Sequence, residues 1–123
     1  EAKKLVFGGP MMGIAQRSGD VCVTKGTSGV LVLTKDVETT FGPCIRCGRC
    51  LCCPYGLTPA MFSRAVEFGN YETAQEWNVL ECKECGCCTY VCPAKRPIVQ
   101  QAKMAKAELA RRRAREKERA GAK

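Results

Sequence analysis

An α+β fold class is predicted by three contrasts in texture along this 123-residue chain. Residues 4–36 mix short β-prone runs with glycine turns. Residues 43–97 hold ten of the eleven cysteines, in two tight groups separated by a helix-like stretch. From residue 98 onward glycine is missing until Gly121, and Ala, Arg, Lys and Glu dominate, which favours helix.

In the first stretch the runs Leu5–Phe7, Val21–Thr24 and Val30–Thr34 read as two or three short strands. So few strands do not make a stable sheet alone. The segment "FGGPMMG" is not a Gly-x-Gly-x-x-Gly cradle, and Pro10 with two methionines would crowd a phosphate. A structural turn is the reading preferred. "TKGTSG" reads likewise, with Lys25 a weak anion-binding candidate.

Between the cysteine groups, Thr58 and Pro59 make a helix start, a cap followed by a first-turn proline. Met61, Ala65 and Phe68 would form its inner face and Gly69 its stop. Asn70 can cap a second helix running to about Val79, with Tyr71, Ala74 and Trp77 or Asn78 marking its faces.

The chemistry lies in the cysteines. Cys82, Cys85, Cys88 and Cys92, followed by Pro93, follow the Cys-x2-Cys-x2-Cys-x3-Cys-Pro run of bacterial two-cluster ferredoxins. In that run three closely spaced thiols wrap one iron–sulfur cubane, and the fourth serves the other cluster. Cys44, Cys47 and Cys50 begin a second copy, but Cys53–Pro54 arrives one residue early. On a helix that would turn the fourth thiol by about 100°. Pro54 marks Cys53 as the ligand, with Cys52 as the alternative.

Two [4Fe–4S] clusters are therefore expected. Cluster A would take Cys44, Cys47, Cys50 and Cys92; cluster B would take Cys82, Cys85, Cys88 and Cys53. An uncrossed assignment stays open. A zinc ribbon needs only four ligands and would leave Cys50, Cys53, Cys88 and Cys92 unused. Adjacent thiols such as Cys52–Cys53 are poor disulfide partners, and the dense thiols suit a reducing, cytoplasmic setting. Cys22, Cys52 and Cys87 are read as non-ligands. Arg46 and Arg49 lie beside A in sequence, and Glu81 and Glu84 beside B, so A is expected to be the easier to reduce.

No histidine and no notable carboxylate pair offers general acid–base chemistry, so solitary catalysis is not expected. The formal charge of +8 divides into +2 over residues 1–99 and +6 over residues 100–123. The basic tail reads first as a solvated helix, next as contact with an acidic partner or anionic membrane surface. Nucleic acid is disfavoured, since no aromatics interleave the basic residues. No signal peptide opens the chain, and no apolar run is long enough to span a bilayer.

"PCIRCGRC" with Cys-Pro, "CKECGCCTYVCPAKRPIVQ", "GGPMMG" and "TKGTSGVLVLTK" together resemble the C subunit of the Rnf complex. That complex is the ion-translocating ferredoxin:NAD⁺ oxidoreductase of bacterial membranes, and the likeness covers residues 4–110. It implies a helical dicluster ferredoxin-like domain over 41–98, followed by a basic helical tail at 99–123. It implies an electron relay on the cytoplasmic side of the bacterial inner membrane, held peripherally by other subunits. The donor would be ferredoxin or a ferredoxin-like subunit. FMN and NAD(H) would belong to an upstream part of the family protein, which would make this chain a C-terminal piece whose β-rich residues 1–40 complete that upstream soluble domain. Cobalamin-reductase-like microcompartment proteins share parts of the layout and are the rival resemblance. A zinc-dependent nucleic-acid-binding module is the remaining alternative.

Overall fold

The computed structural model describes residues 2–10, 12–35 and 40–121. Met11 of the GGPMMG segment and Asp36 at the end of the first stretch lie outside them. Contacts gather into two units, residues 1–40 and residues 41–123.

The first unit is an antiparallel three-stranded sheet of β1 (Lys4–Phe7), β2 (Ile14–Gln16) and β3 (Val30–Leu33), in the order β2-β1-β3. Val6 is the pivot: it lies opposite Ala15 on one side and Leu31 on the other, and it is buried. The glycines of GGPMMG make the reversal between β1 and β2. Gly8 adopts φ +107°, open to glycine at little cost. Gly13 donates to the Gly9 carbonyl at 2.9 Å. A Cβ on Gly13 would collide with that carbonyl and with Val6 Cγ1, so the turn closes only around glycine.

This return corrects one expectation. Val21–Thr24 forms no strand; its valines lie exposed in a loop. The immediate turn supplies β2 from Ile14–Gln16, and β3 takes the other edge of β1. Both ladder positions beside the central strand are then filled, and β propensity without a partner makes no strand.

The second unit is helical: α1 (Pro59–Glu67), α2 (Tyr71–Glu76), the short α3 (Cys87–Tyr90) and the long α4 (Ile98–Gly121). Phe62, Ala65 and Val66 of α1 meet Ala74, Val79 and the α4 stripe Ile98, Val99, Ala102, Ala105 and Leu109 in one core. The inner face of α1 thus runs through Pro59, Phe62, Ser63 and Val66, together with Ala65. The expected face of Met61, Ala65 and Phe68 is corrected: Met61 and Phe68 are 40 % and 75 % exposed. Both faces have helical spacing, and the choice falls to the one that α4 covers.

Pro59 stands in the first turn as expected, but Thr58 makes no side-chain capping bond. Gly69, at φ +72°, ends α1 by donating to the Val66 carbonyl at 2.9 Å. Asn70 caps α2, its Oδ1 accepting from the Thr73 N–H at 3.1 Å. The second helix stops at Glu76 rather than near Val79, because Asn78 turns left-handed at φ 56° and opens a 3₁₀ turn at Val79–Glu81. Among the described residues no helix is long and apolar enough to cross a membrane.

Candidate metal centre

The two cysteine groups repeat in backbone as well as in sequence. In the first, Arg46 and Gly48 have φ of 56° and 75°; in the second, Glu84 and Gly86 have 58° and 87°. Each left-handed residue sits at the same place, one before and one after the second cysteine of its group. Alternation of this kind turns successive N–H groups into one concavity, a nest suited to anionic sulfur. The Glu84 N–H donates to Cys82 Sγ at 3.4 Å, which is that chemistry in place. Short helical turns follow both glycines, a 3₁₀ turn at Arg49–Cys52 and α3 at Cys87–Tyr90.

The Cys-Pro exits repeat too. The Cys53 carbonyl accepts from Gly56 N–H and the Cys92 carbonyl from Lys95 N–H, both at 3.1 Å. Gly56 and Lys95 are left-handed at φ 65° and 52°. A helix then starts at Pro59 or at Ile98, in each case six residues after the cysteine. Cys53, not Cys52, is therefore the structural equivalent of Cys92. Both helical turns hold four residues; the missing residue is the counterpart of Val91, which separates α3 from Cys92, whereas Cys53 follows its turn directly and the exit itself is unchanged.

These turns sort the thiols across the sequence. One small pocket is bordered by Cys53 together with Cys82, Cys85 and Cys88. Phe62, Leu57 and Val99 form its apolar wall, and Cys87 also reaches it. Elsewhere the Gly42 N–H donates to the Ala94 carbonyl at 3.0 Å, tying the entry to Cys44 against the exit from Cys92. Burial pushes the Cys50 thiol up, and negative charge on Cys44 and Cys92 pushes it the same way, which puts the three within electrostatic reach of one another. Cys47 shares their loop on its exposed side. Cys22 lies in the first unit and is exposed.

The donor set fits an iron–sulfur cluster. Among the described residues no three Cys, Asp or Glu groups are gathered tightly enough to hold one metal ion. Thiolate sulfur is the donor such clusters take, and Cys53, Cys82, Cys85 and Cys88 border one pocket. Cys88 is buried, and desolvation pushes its thiol up to about 11. It is protonated at neutral pH, and a metal bound there would have to displace that proton. Cys87 is also raised, first by its hydrogen bond with Cys85 and then by charge on Cys85.

Charged side chains surround both groups. Glu84, inside the second loop, pairs with Lys106 at 2.8 Å and faces Lys103 at 4.0 Å. Lys106 Nζ also donates to the Cys82 carbonyl, so α4 pins this loop. Of the two carboxylates expected beside B, Glu84 is thereby offset. Beside A lies a cation that sequence reasoning passed over. Arg96, four residues past Cys92, is 5 % exposed and pairs with Glu67 at 2.7 Å. Its place between the Cys-Pro exit and Pro97 was the available signal.

No family model matches the chain. Curated relatives do. The C subunit of the proton-translocating ferredoxin:NAD(+) oxidoreductase complex of Clostridium ljungdahlii is 49 % identical over 112 residues, covering 88 % of this chain and 24 % of the relative. The C subunit of the ion-translocating oxidoreductase complex of Rhodobacter capsulatus is 42 % identical over 118 residues, covering 94 % and 23 %. The C subunit of the Na(+)-translocating ferredoxin:NAD(+) oxidoreductase complex of Acetobacterium woodii is 40 % identical, covering 89 % and 25 %. The chain thus spans about a quarter of the length of the curated relatives it matches. Over most of its length, this chain is homologous to part of the C subunits of ion-translocating oxidoreductase complexes.

Proposed function

We propose that this chain is an electron relay carrying two [4Fe–4S] clusters within a membrane-bound ion-translocating ferredoxin:NAD⁺ oxidoreductase. Cluster A would be held by Cys44, Cys47, Cys50 and Cys92, and cluster B by Cys82, Cys85, Cys88 and Cys53. The observation that carries this reading is the company Cys53 keeps. It borders one cavity with Cys82, Cys85 and Cys88, as a crossed pair of sites requires. The neighbourhood of Cys44, Cys50 and Cys92 is the reciprocal half.

Bound clusters would supply one-electron transfer without proton chemistry of their own. The chain's residues hold, shield and bias them. The left-handed residues at 46 and 48 and at 84 and 86 would turn backbone N–H groups toward cluster sulfur, as the Glu84 N–H already meets Cys82 Sγ, and this would favour added negative charge. Phe62, Leu57 and Val99 keep water from one side of the B cavity. Lys106 fixes the loop that carries Cys82. Electrons would arrive from ferredoxin or a ferredoxin-like subunit and leave toward FMN and NAD(H) in an upstream part of the full-length protein. The chain would sit on the cytoplasmic side of the cell membrane, held by partner subunits. The outer half of α4, basic and exposed, would face an acidic partner or anionic lipid.

The test is iron and acid-labile sulfide in anaerobically prepared protein, with an EPR spectrum after reduction. Two clusters require about eight irons and eight sulfides per chain. Zinc without sulfide would overturn the assignment.

A further inference from the structure

Arg96 is the one charged residue among the described residues that is buried. Burial of a guanidinium is costly unless it is paired and hydrogen-bonded. The fold meets that cost with a fan of acceptors: Nη2 donates to Glu67 Oε2 at 2.7 Å and to Ser63 Oγ at 3.3 Å, and Nη1 donates to Glu67 Oε1 at 3.3 Å. Ser63, itself buried, donates in turn to Gln101 of α4. Helix α1, helix α4 and the exit from Cys92 are thus tied at one guanidinium.

The pair is lopsided. The Arg96 side chain is 6 % exposed, whereas that of Glu67 is 48 % exposed. Water screens the carboxylate far more than the guanidinium, so their fields do not cancel on the inner side. Cys92 lies four residues before Arg96, and Cys44 lies two residues after Gly42. The Gly42–Ala94 hydrogen bond brings their strands together next to Arg96. Both thiol groups, when charged, strengthen the hold of Arg96 on its proton, after the larger effect of Glu67.

We propose that Arg96 is a positioning residue that sets the reduction potential of cluster A, its buried positive charge stabilising the electron added there. Glu67 acts as the counterweight, trimming that charge from the solvent side. This rests on the cluster assignment proposed above. Reduction adds one electron to the cluster and no proton, so an enclosed positive charge nearby shifts the equilibrium toward the reduced form. Arg46 and Arg49 are exposed on the first loop, and water weakens their effect.

The experiment is an EPR-monitored redox titration of the full chain with both clusters loaded, using dithionite as electron donor. The signal of A is identified as the one whose line shape changes in Cys47→Ser. Arg96→Gln should lower the equilibrium constant for reducing A at least tenfold, about 59 mV for one electron. Arg96→Lys should restore much of it. Glu67→Gln breaks the same ion pair but should move A the opposite way, since it leaves the guanidinium uncompensated. Cluster B should hold its potential in all three.

A purely structural ion pair would move A in the same direction in Arg96→Gln and Glu67→Gln, and that result overturns the proposal, as does an unmoved potential. Should Arg96→Gln fail to fold, Glu67→Gln alone decides: an upward shift supports the role, and a downward or absent shift ends it. Wild-type protein lacking iron and sulfide would instead remove the cluster assignment itself.

Discussion

Cys52 and Cys53 are adjacent, yet the Cys-Pro turn gives them different tasks. Cys53 opens the turn closed by Gly56 and borders the cavity of Cys82, Cys85 and Cys88. Cys52 is exposed at the end of the preceding 3₁₀ turn. Cys53→Ser should cost the B site, taking iron content from about eight to about four per chain. Cys52→Ser should leave it near eight, as read by iron and sulfide assay. Glu67 offers a second check at this scale. Its hydrogen bond from Arg96 holds the carboxyl below its ordinary value. A lowered carboxylate contributes stability above the unfolded value of about 4.3, and that contribution fades as pH falls through the folded value. Denaturant melts of wild type and Glu67→Gln should therefore differ at pH 7 and converge in acid. Because Glu67 is half exposed, the gap at pH 7 should be about 1 kcal/mol or less.

Helix α4 serves two purposes along one continuous length. Ile98, Val99, Ala102, Ala105 and Leu109 enter the core, and beyond Leu109 no described residue is buried. The last firm anchor is Arg112, which bonds Glu108 at 3.3 Å and Glu72 at 3.5 Å and stacks over Tyr71 at 5.4 Å. Leu109→Ala should cost about 2–5 kcal/mol, the usual range for a buried leucine. Removing residues 114–123 should shift the melt little. Thermal denaturation followed by circular dichroism measures both. The boundary between these halves was not legible in the sequence. Ala and Arg alternate through "AELARRRARE" with good helix propensity throughout, and only packing against α1 and α2 marks where burial stops.

Across the molecule, legibility followed the strength of local chemistry. Cysteine spacing announced the repeat, and the left-handed residues at 46, 48, 84 and 86 give that repeat a backbone form. Glycine at 48 and 86 could be anticipated; arginine and glutamate in the same conformation at 46 and 84 could not. Helix starts and stops at Pro59, Gly69 and Asn70 were readable because capping is local. The face of α1 and the identity of β2 were not. Each depended on which partner arrived to cover it, a non-local outcome that periodicity leaves undecided. Arg96 escaped notice for the same reason, since its partners Glu67 and Ser63 lie 29 and 33 residues away.

The cavity that joins Cys53 to Cys82, Cys85 and Cys88 draws its walls from both ends of the helical unit. During translation, the earlier thiols emerge from the ribosome long before the later ones. On the proposed assignment one basin cannot be whole until the polypeptide has grown past Cys88, and the other must wait for Cys92. Iron offered earlier would meet only partial grips, so loading would follow the synthesis of both cysteine groups.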